Sequence, residues 1–518
     1  MPSTRLFRFF IAGRPGRRGA RTAAAALASL VMGLSSACSF APDPEMPGPV
    51  EDVPEAFEEA ETPPDSSWTA VEWWTAYQDP TLSRLVDTVL AANLDLVEAV
   101  GRVEESRALA GVALADLLPS LEASGSAAFN STPANSGFGQ IIGGGEDGDS
   151  MAIQRPTRFE TTDYSAGLTL SYELDLWGRA RNDRGAALAE LVASESDAQA
   201  VRLSVLGEAI TAYFEVAELR RRVVLTEEAV GVLQERADLT QIRYDRGLVT
   251  SFELYQIRET LRNVQSGLPQ LRAQVTEAEG RLAVVTGRYR AEVRPLLGAA
   301  ELPMGELPPV PAALPADLLW QRPDVRAAGQ RLEAARLRVG ARKAELLPRL
   351  TLSGTVGLQG ADPDDLLDLD QWFTNLLGGL TAPLFQGGRL KANVRAQEAR
   401  LAQQSAAYGR LVLTAVAEVE TALSRHREDA ERFSFLRSQL DEAQSSVDLQ
   451  AARYSSGVGG YADYLDALRN RLTVEGNVAQ AARDYALSRL GLHRALGGTW
   501  VDAPVVPEES TASSSNRP

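Results

Sequence analysis

One cysteine in 518 residues has no partner for an internal disulfide. Two histidines, His426 and His493, are too few for a His/Cys metal site or a Cys/His catalytic pair. Aromatic residues are sparse, at 6%. Alanine is plentiful instead, which suits close helix packing better than a bulky globular core. Cations are in the minority: Lys+Arg number 52 against Asp+Glu 69, a formal charge of −17. The basic stripe of a general nucleic-acid binder is therefore not expected. No phosphate loop, nucleophile motif or metal-ligand spacing is found either. Neither an enzyme nor a cofactor is expected.

What is present begins with an export signal. Arg5, Arg8, Arg14, Arg17, Arg18 and Arg21 precede a short apolar stretch, Ala23 to Leu34, that cannot span a bilayer by itself. Leu34-Ser35-Ser36-Ala37-Cys38 follows. Small residues before a lone cysteine resemble a bacterial lipoprotein cleavage site. Residues 1–37 then form a lipoprotein signal peptide, and Cys38 becomes the acylated first mature residue. A plain secretory signal with an incidental cysteine is the alternative. Ser39 is not the aspartate of inner-membrane retention, which favours the outer membrane. Residues 38–67, rich in proline and acid, read as a lipidated extended tether, with disorder an alternative for the middle.

The rest of the chain occurs twice. Leu118-Pro119-Ser120-Leu121 and Leu347-Pro348-Arg349-Leu350 each end a helical pattern at a proline and start a two-residue alternation. These prolines are 229 positions apart. Gly178-Arg179 and Gly388-Arg389 repeat at 210, as do Arg243-Tyr244-Asp245-Arg246-Gly247 and Arg453-Tyr454-Ser455-Ser456-Gly457. The change of offset lies between the two strands of each copy, so the second copy has the shorter loop.

The first repeat spans 68–294. From Pro80, apolar residues keep three-to-four spacing to about Leu117, predicting one helix. A hairpin is predicted over 118–177, with a loop from Asn130 to Thr162. In its second strand Tyr164, Ala166, Leu168, Leu170, Tyr172, Leu174 and Leu176 alternate with polar or small residues. An amphipathic strand of that length with an aromatic, Trp177, at its end suits an outer-membrane barrel. Long helices are predicted over 178–288. The first, 178–246, would be roughly 100 Å long and carries a coiled-coil-like stripe including Leu188, Leu191, Val201, Val205 and Phe214. A proline-rich linker covers 295–315. The second repeat, 316–498, replays the plan: a helix from about Pro315 to Leu347, a hairpin over 347–385, and long helices over 388–496. A disordered tail is predicted at 499–518.

Each copy supplies two amphipathic strands, so one chain has four. Four strands cannot close a membrane barrel, and an open edge cannot sit in lipid. The chain is therefore expected to oligomerise, three copies giving twelve strands.

Here the sequence resembles a known family, the outer-membrane efflux proteins (TolC and OprM-like channels), and within it the lipidated NodT-type branch. The resemblance covers Trp68 to Leu496. It rests on the doubled Leu-Pro-Ser/Arg-Leu strand entry, on Tyr172-Glu-Leu-Asp-Leu-Trp-Gly-Arg179, and on Pro383-Leu-Phe-Gln-Gly-Gly-Arg389. The doubled Arg-Tyr-x-x-Gly turns and Tyr464-Leu-Asp-Ala-Leu468 add to it. It implies a mainly α fold with membrane β: a TolC-like homotrimer, four strands per chain in a shared 12-stranded β-barrel, and a long periplasmic α-helical barrel. It further implies a lipid-anchored position in the outer membrane, contact with outer-membrane lipid, and partnership with a periplasmic adaptor (membrane fusion) protein and an inner-membrane pump of RND type. The implied function is the passive outer-membrane duct of a tripartite efflux system for drugs or other small molecules. A duct for type I protein secretion and a non-pore periplasmic coiled-coil lipoprotein are the alternatives.

Candidate site residues follow from the turns after Tyr244 and Tyr454. Asp463 and Asp466 are three apart and share a helical face. In three copies they would make two acidic rings, favouring cations in a narrow pore. The resemblance places these two at the periplasmic aperture, or gate. Glu253 is the first-copy counterpart of Asp463, and Tyr244 and Tyr454 occupy the tip aromatic position, which can hydrogen-bond a neighbouring acid. A solvated helix face beside a turn is the competing reading of both aspartates. Where a family gate carries an arginine this chain has Gly459, so that salt-bridge latch is not carried over.

Overall fold

The structure is a computed structural model and describes residues 40–43, 50, 73–133, 158–298, 300–305, 307 and 316–498. The expected signal peptide, Cys38, most of the tether, much of the linker and the tail lie outside the described residues. Two compact units are formed. One comprises 1–44, 108–188 and 333–402; the other comprises 45–107, 189–332 and 403–518. Both sequence copies therefore contribute to both units.

The first unit is built on one antiparallel sheet in the order β1-β2-β3-β4. The strands are β1 (Ser120–Pro133), β2 (Arg158–Leu174), β3 (Arg349–Gly360) and β4 (Trp372–Thr381). The register places Leu121 opposite Leu170, Leu168 opposite Val356 and Leu350 opposite Leu380. Side chains alternate across a strand. One face therefore collects Leu121, Phe129, Leu168, Leu170, Leu352, Val356, Leu376 and Leu380, all exposed. The other face carries polar cross-strand pairs: Ser126 and Ser165 hydroxyls at 2.8 Å, Thr169 and Thr355 at 3.1 Å, and Gln359 donating to Asp163 at 2.8 Å.

The hairpin is longer than the sequence pattern indicates. Residues 130–133 pair with 158–161, inside the expected loop. Asn130, Ser131, Thr132 and Thr161 are polar on both faces, so the alternation that marks a strand fades although the backbone ladder continues. Conversely β2 ends at Leu174 and β4 at Thr381, short of the expected Leu176 and Phe385. Below β2, Trp177 Nε1 donates to Pro348 O at 2.7 Å, clamping the ends of β2 and β3 together.

In the second unit the helix expected from Pro80 to Leu117 is two helices, α1 (Pro80–Ala92) and α2 (Leu94–Ala115), whose last residues belong to the first unit. Asp79 caps α1, accepting from Thr81 N at 2.7 Å and Leu82 N at 3.2 Å. The break is at Asn93, with ψ 131° and only 2% exposure. Its Oδ1 accepts from Leu96 N at 3.0 Å and its Nδ2 donates to Val285 O at 2.7 Å. One side chain thus caps α2 and ties it to the end of α4 (Ser251–Val285). Just beyond, Gly287 has φ +63°, and a Cβ there would lie 2.1 Å from Ala92 O. Only glycine fits that approach.

The remaining helices are α3 (Arg179–Asp245), α5 (Arg290–Leu296), α6 (Pro323–Ala344), α7 (Arg389–Ser455) and α8 (Tyr461–Ala495). α6 starts later than expected because 316–321 forms a 3-10 turn before Pro323. The core of this unit joins Trp73, Trp74, Tyr77, Leu82, Leu85, Tyr213, Phe214 and Leu282 with Ala278, Ala481, Ala482 and Ala486. Each large apolar side chain buried there contributes about 1.5–3 kcal/mol. The alanines let the helices approach closely.

His493 lies in this core, and the partly buried His426 packs against it. His493 stacks on Trp73 (centroids 4.8 Å, 21°) and receives Arg489 Nε at 3.3 Å. His426 stacks on Tyr485 (5.1 Å, 15°). Ser488 Oγ donates to Tyr485 O at 2.8 Å and so accepts from His426 Nδ1 at 3.0 Å. Burial, and then the Arg489 charge, pushes His426 down to about 4 and His493 down to about 3. Both rings are neutral packing groups.

Candidate functional site

The two helix-to-helix turns are built alike. After α3, Gly247 adopts φ +69°, Gly247 N donates to Tyr244 O at 2.8 Å and Leu248 N to Arg243 O at 2.9 Å. After α7, Gly457 adopts φ +74°, Gly457 N donates to Tyr454 O at 3.0 Å and Val458 N to Arg453 O at 2.9 Å. Both are the paired bonds that end a helix on a left-handed glycine. The duplicated Arg-Tyr-x-x-Gly sequence is thus a helix stop.

The acids that follow restart the chain. Glu253 Oε1 accepts from Thr250 N at 3.4 Å while Thr250 Oγ1 accepts from Glu253 N at 3.4 Å, a capping box at the start of α4. Asp463 Oδ2 accepts from Gly460 N at 3.2 Å at the start of α8. The two repeat-related acids therefore do the same local job, and each carries its charge beside a helix N-terminus.

Asp466 is placed differently. It forms an ion pair with Arg236 of α3 and lies 3.9 Å from Arg469. Sequence spacing puts Asp463 and Asp466 on one face as like charges; the fold gives one a backbone partner and the other a cation. Gly459, in turn, lies where a Cβ would come within 2.9 Å of Arg453 Cβ. A longer side chain would crowd the turn, and the arginine serving the acid stands at 236 instead.

Arg236 belongs to a series of polar links between α3 and α8. Tyr461 OH donates to Glu235 Oε2 at 2.9 Å. Arg471 pairs with Glu228 at 3.8 Å, Arg221 with Glu475, and Arg483 with Glu218 at 3.7 Å. Glu218 is only 1% exposed. Burial pushes its carboxyl up, and Arg222 and Arg483 pull it back. The more exposed of these pairs, such as Arg236–Asp466, are worth little singly, about 0–1 kcal/mol.

Tyr454 is half exposed, and its ring lies 4.9 Å from that of Tyr461, which in turn lies 5.9 Å from Tyr464. Tyr461, not Tyr454, makes the hydrogen bond to an acid. Tyr244 is exposed at the first turn. Arg236, Glu235 and Tyr461 were not among the sequence candidates. Nothing in their local pattern marks them, because the antiparallel pairing of α3 with α8 brings them together. Cys38 lies outside the described residues. Among the described residues no group of His, Cys, Asp and Glu is placed to hold a metal ion, and no helix is long and apolar enough to cross a membrane.

Comparison with known proteins identifies the family. The model of the outer membrane efflux protein family matches residues 85–288 and 314–498, one match in each copy. The chain is 31% identical over 431 residues to the pyoverdine export outer membrane protein OpmQ of Pseudomonas aeruginosa, covering 83% of this chain and 87% of OpmQ. It is 27% identical over 479 residues to the Salmonella typhimurium protein named "Probable outer membrane lipoprotein SilC", covering 92% of this chain and 98% of that one. Among solved structures the outer-membrane channel OprN superposes with a TM-score of 0.75 at 27% identity, covering 89% of this chain and 99% of OprN.

Proposed function

This chain belongs to the outer membrane efflux protein family, and we propose that three copies form a passive duct through which small molecules leave the cell. The observation that carries this is the sheet. One face is apolar and exposed, the other mostly polar apart from Phe373 and Leu377, and among the described residues β1 and β4 each have a neighbour on one side only. In lipid every backbone N–H and C=O must be paired, so those two edges need other strands. Four strands from each of three chains close a twelve-stranded ring, within the range of known membrane barrels. β3 and β4, with 12 and 10 residues, are long enough to cross a bilayer when tilted.

Acylated Cys38 adds a lipid anchor in the outer membrane, a reading that the lipoprotein name of SilC supports. The turns after Tyr244 and Tyr454 form the periplasmic aperture. There Asp463, Asp466 and Glu253 place acids around the pore, Tyr244 and Tyr454 line the tip, and the Arg236–Asp466 pair holds α8 against α3 in the resting state. A periplasmic adaptor and an inner-membrane pump, RND type, deliver the substrate. OpmQ is named for pyoverdine export, which supports a small-molecule cargo here.

Native mass spectrometry of the detergent-extracted protein tests the reading. A mass of three chains is expected. A water-soluble monomer would remove the barrel and with it the duct.

A further inference from the structure

On the polar face of the sheet, β4 carries two apolar residues. The register aligns Ser124, Gly167, Gly357 and Phe373 across β1 to β4, on the face that holds the Ser126–Ser165 and Thr169–Thr355 pairs. A glycine inside a strand weakens it and marks a place where another group comes close. Here that group is the Phe373 ring, because a Cβ at Gly357 would lie 3.0 Å from Phe373 Cε1. The ring therefore leans along the wall over Gly357 and is partly buried, with nothing larger than serine beyond it in the row. Four residues further along β4, on the same face, Leu377 is 61% exposed. Asn375 lies between the two, opposite Thr355. The charged residues that the four strands place on this face are Glu122, Asp163 and Glu173 against Arg349 alone.

We propose that Phe373 and Leu377 form a binding strip for aromatic cations in the wall of the duct, and so bias the cargo toward them. This rests on the duct reading above, which makes the polar face the lumen. Lipid contact cannot account for either residue, since Leu376 and Leu380 supply it from the opposite face of β4. In a ring of three copies the strips recur every four strands, about 19 Å around the wall. Rings that far apart do not plug the duct. Each acts alone, as an apolar contact for a planar molecule moving along the wall. Stacking on Phe373 and contact with Leu377 take apolar cargo surface out of water, while Asn375 and Thr355 keep hydrogen-bonding groups beside it. The sign of the charge is selected twice. The face of an aromatic ring attracts a cation, and a wall with acids in excess disfavours anions.

The test titrates rhodamine 6G, an aromatic cation, with the detergent-solubilised full-length protein and follows fluorescence anisotropy. Native mass spectrometry of the same sample reads the number of chains. Tetraphenylphosphonium should displace the dye; tetraethylammonium, equally charged but without rings, should not. Phe373→Ser and Leu377→Ser, made separately, should each weaken dye binding about five-fold, with the three-chain mass and far-UV signal unchanged. Leu376→Ser, on the lipid face, should leave the affinity as it is. If one of the two strip variants does not fold, the other carries the test. No dye binding by the wild type, equal displacement by both competitors, or wild-type affinity in a folded three-chain strip variant overturns the strip and leaves the duct standing. A wild-type mass of a single chain overturns the duct, and the strip with it.

Discussion

Acidification should weaken the helical core through the only two histidines of the chain. His426 and His493 are held neutral at about 4 and about 3, against an ordinary value of 6.5. Their pKa is lower in the folded than in the unfolded chain, so the unfolded chain binds more protons as pH falls below 6.5. Stability they contribute is present in full above 6.5 and is lost progressively down to the folded values. One pH unit in that window costs about 1.4 kcal/mol per imidazole. From pH 7.5 to pH 5 the loss is about 2 kcal/mol for each ring, or about 4 kcal/mol for the two. The assay is thermal unfolding of the detergent-solubilised protein, followed by far-UV circular dichroism at both pH values. Wild type is compared with the double variant His426→Gln, His493→Gln. Carboxylates titrate equally in both proteins, so the difference in pH sensitivity isolates the imidazoles even if the variant is less stable throughout. Wild type should lose several degrees more than the variant. Equal losses would refute the reasoning, and with it the neutral state of the two rings.

Alanine at both Asp463 and Asp466 should raise single-channel conductance in planar bilayers and reduce cation preference; unchanged conductance and selectivity would remove these acids from the aperture. Arg236→Ala alone should raise conductance in the same direction, because it frees Asp466 from α3. Asn93→Ala removes a helix cap and a buried hydrogen bond at once, and should cost about 1–3 kcal/mol in unfolding experiments. Gly287→Ala, forced against Ala92 O with positive φ, should destabilise by more than about 1 kcal/mol, which thermal unfolding would show.

Periodic features were legible in the sequence. The strand alternation around Leu168 and Leu170 and the long helical spacings located most of the structure, and the doubled Arg-Tyr-x-x-Gly sequence located the turns. Features that depend on one polar side chain were not. Asn93 interrupts an apolar spacing that continues across it, so the α1–α2 break has no periodic signature. The outer ends of β1 and β2 are held by main-chain hydrogen bonds between polar residues, which alternation does not detect. At the tip, spacing placed Asp463 and Asp466 on one face but could not supply Arg236, which lies on a distant helix. Nor could it show that Asp463 and Glu253 also cap helices.

The two bare edges of the sheet also bear on inheritance and dosage. A subunit whose β1 or β4 edge is spoiled, for instance by a proline that removes a ladder donor, still offers one good edge to its neighbours. It can enter the proposed three-membered ring and leave it unable to close. In a cell making both forms, the fraction of intact rings falls as the cube of the normal fraction. Edge mutations should therefore be dominant over the normal copy, whereas mutations that prevent the chain from folding should be recessive.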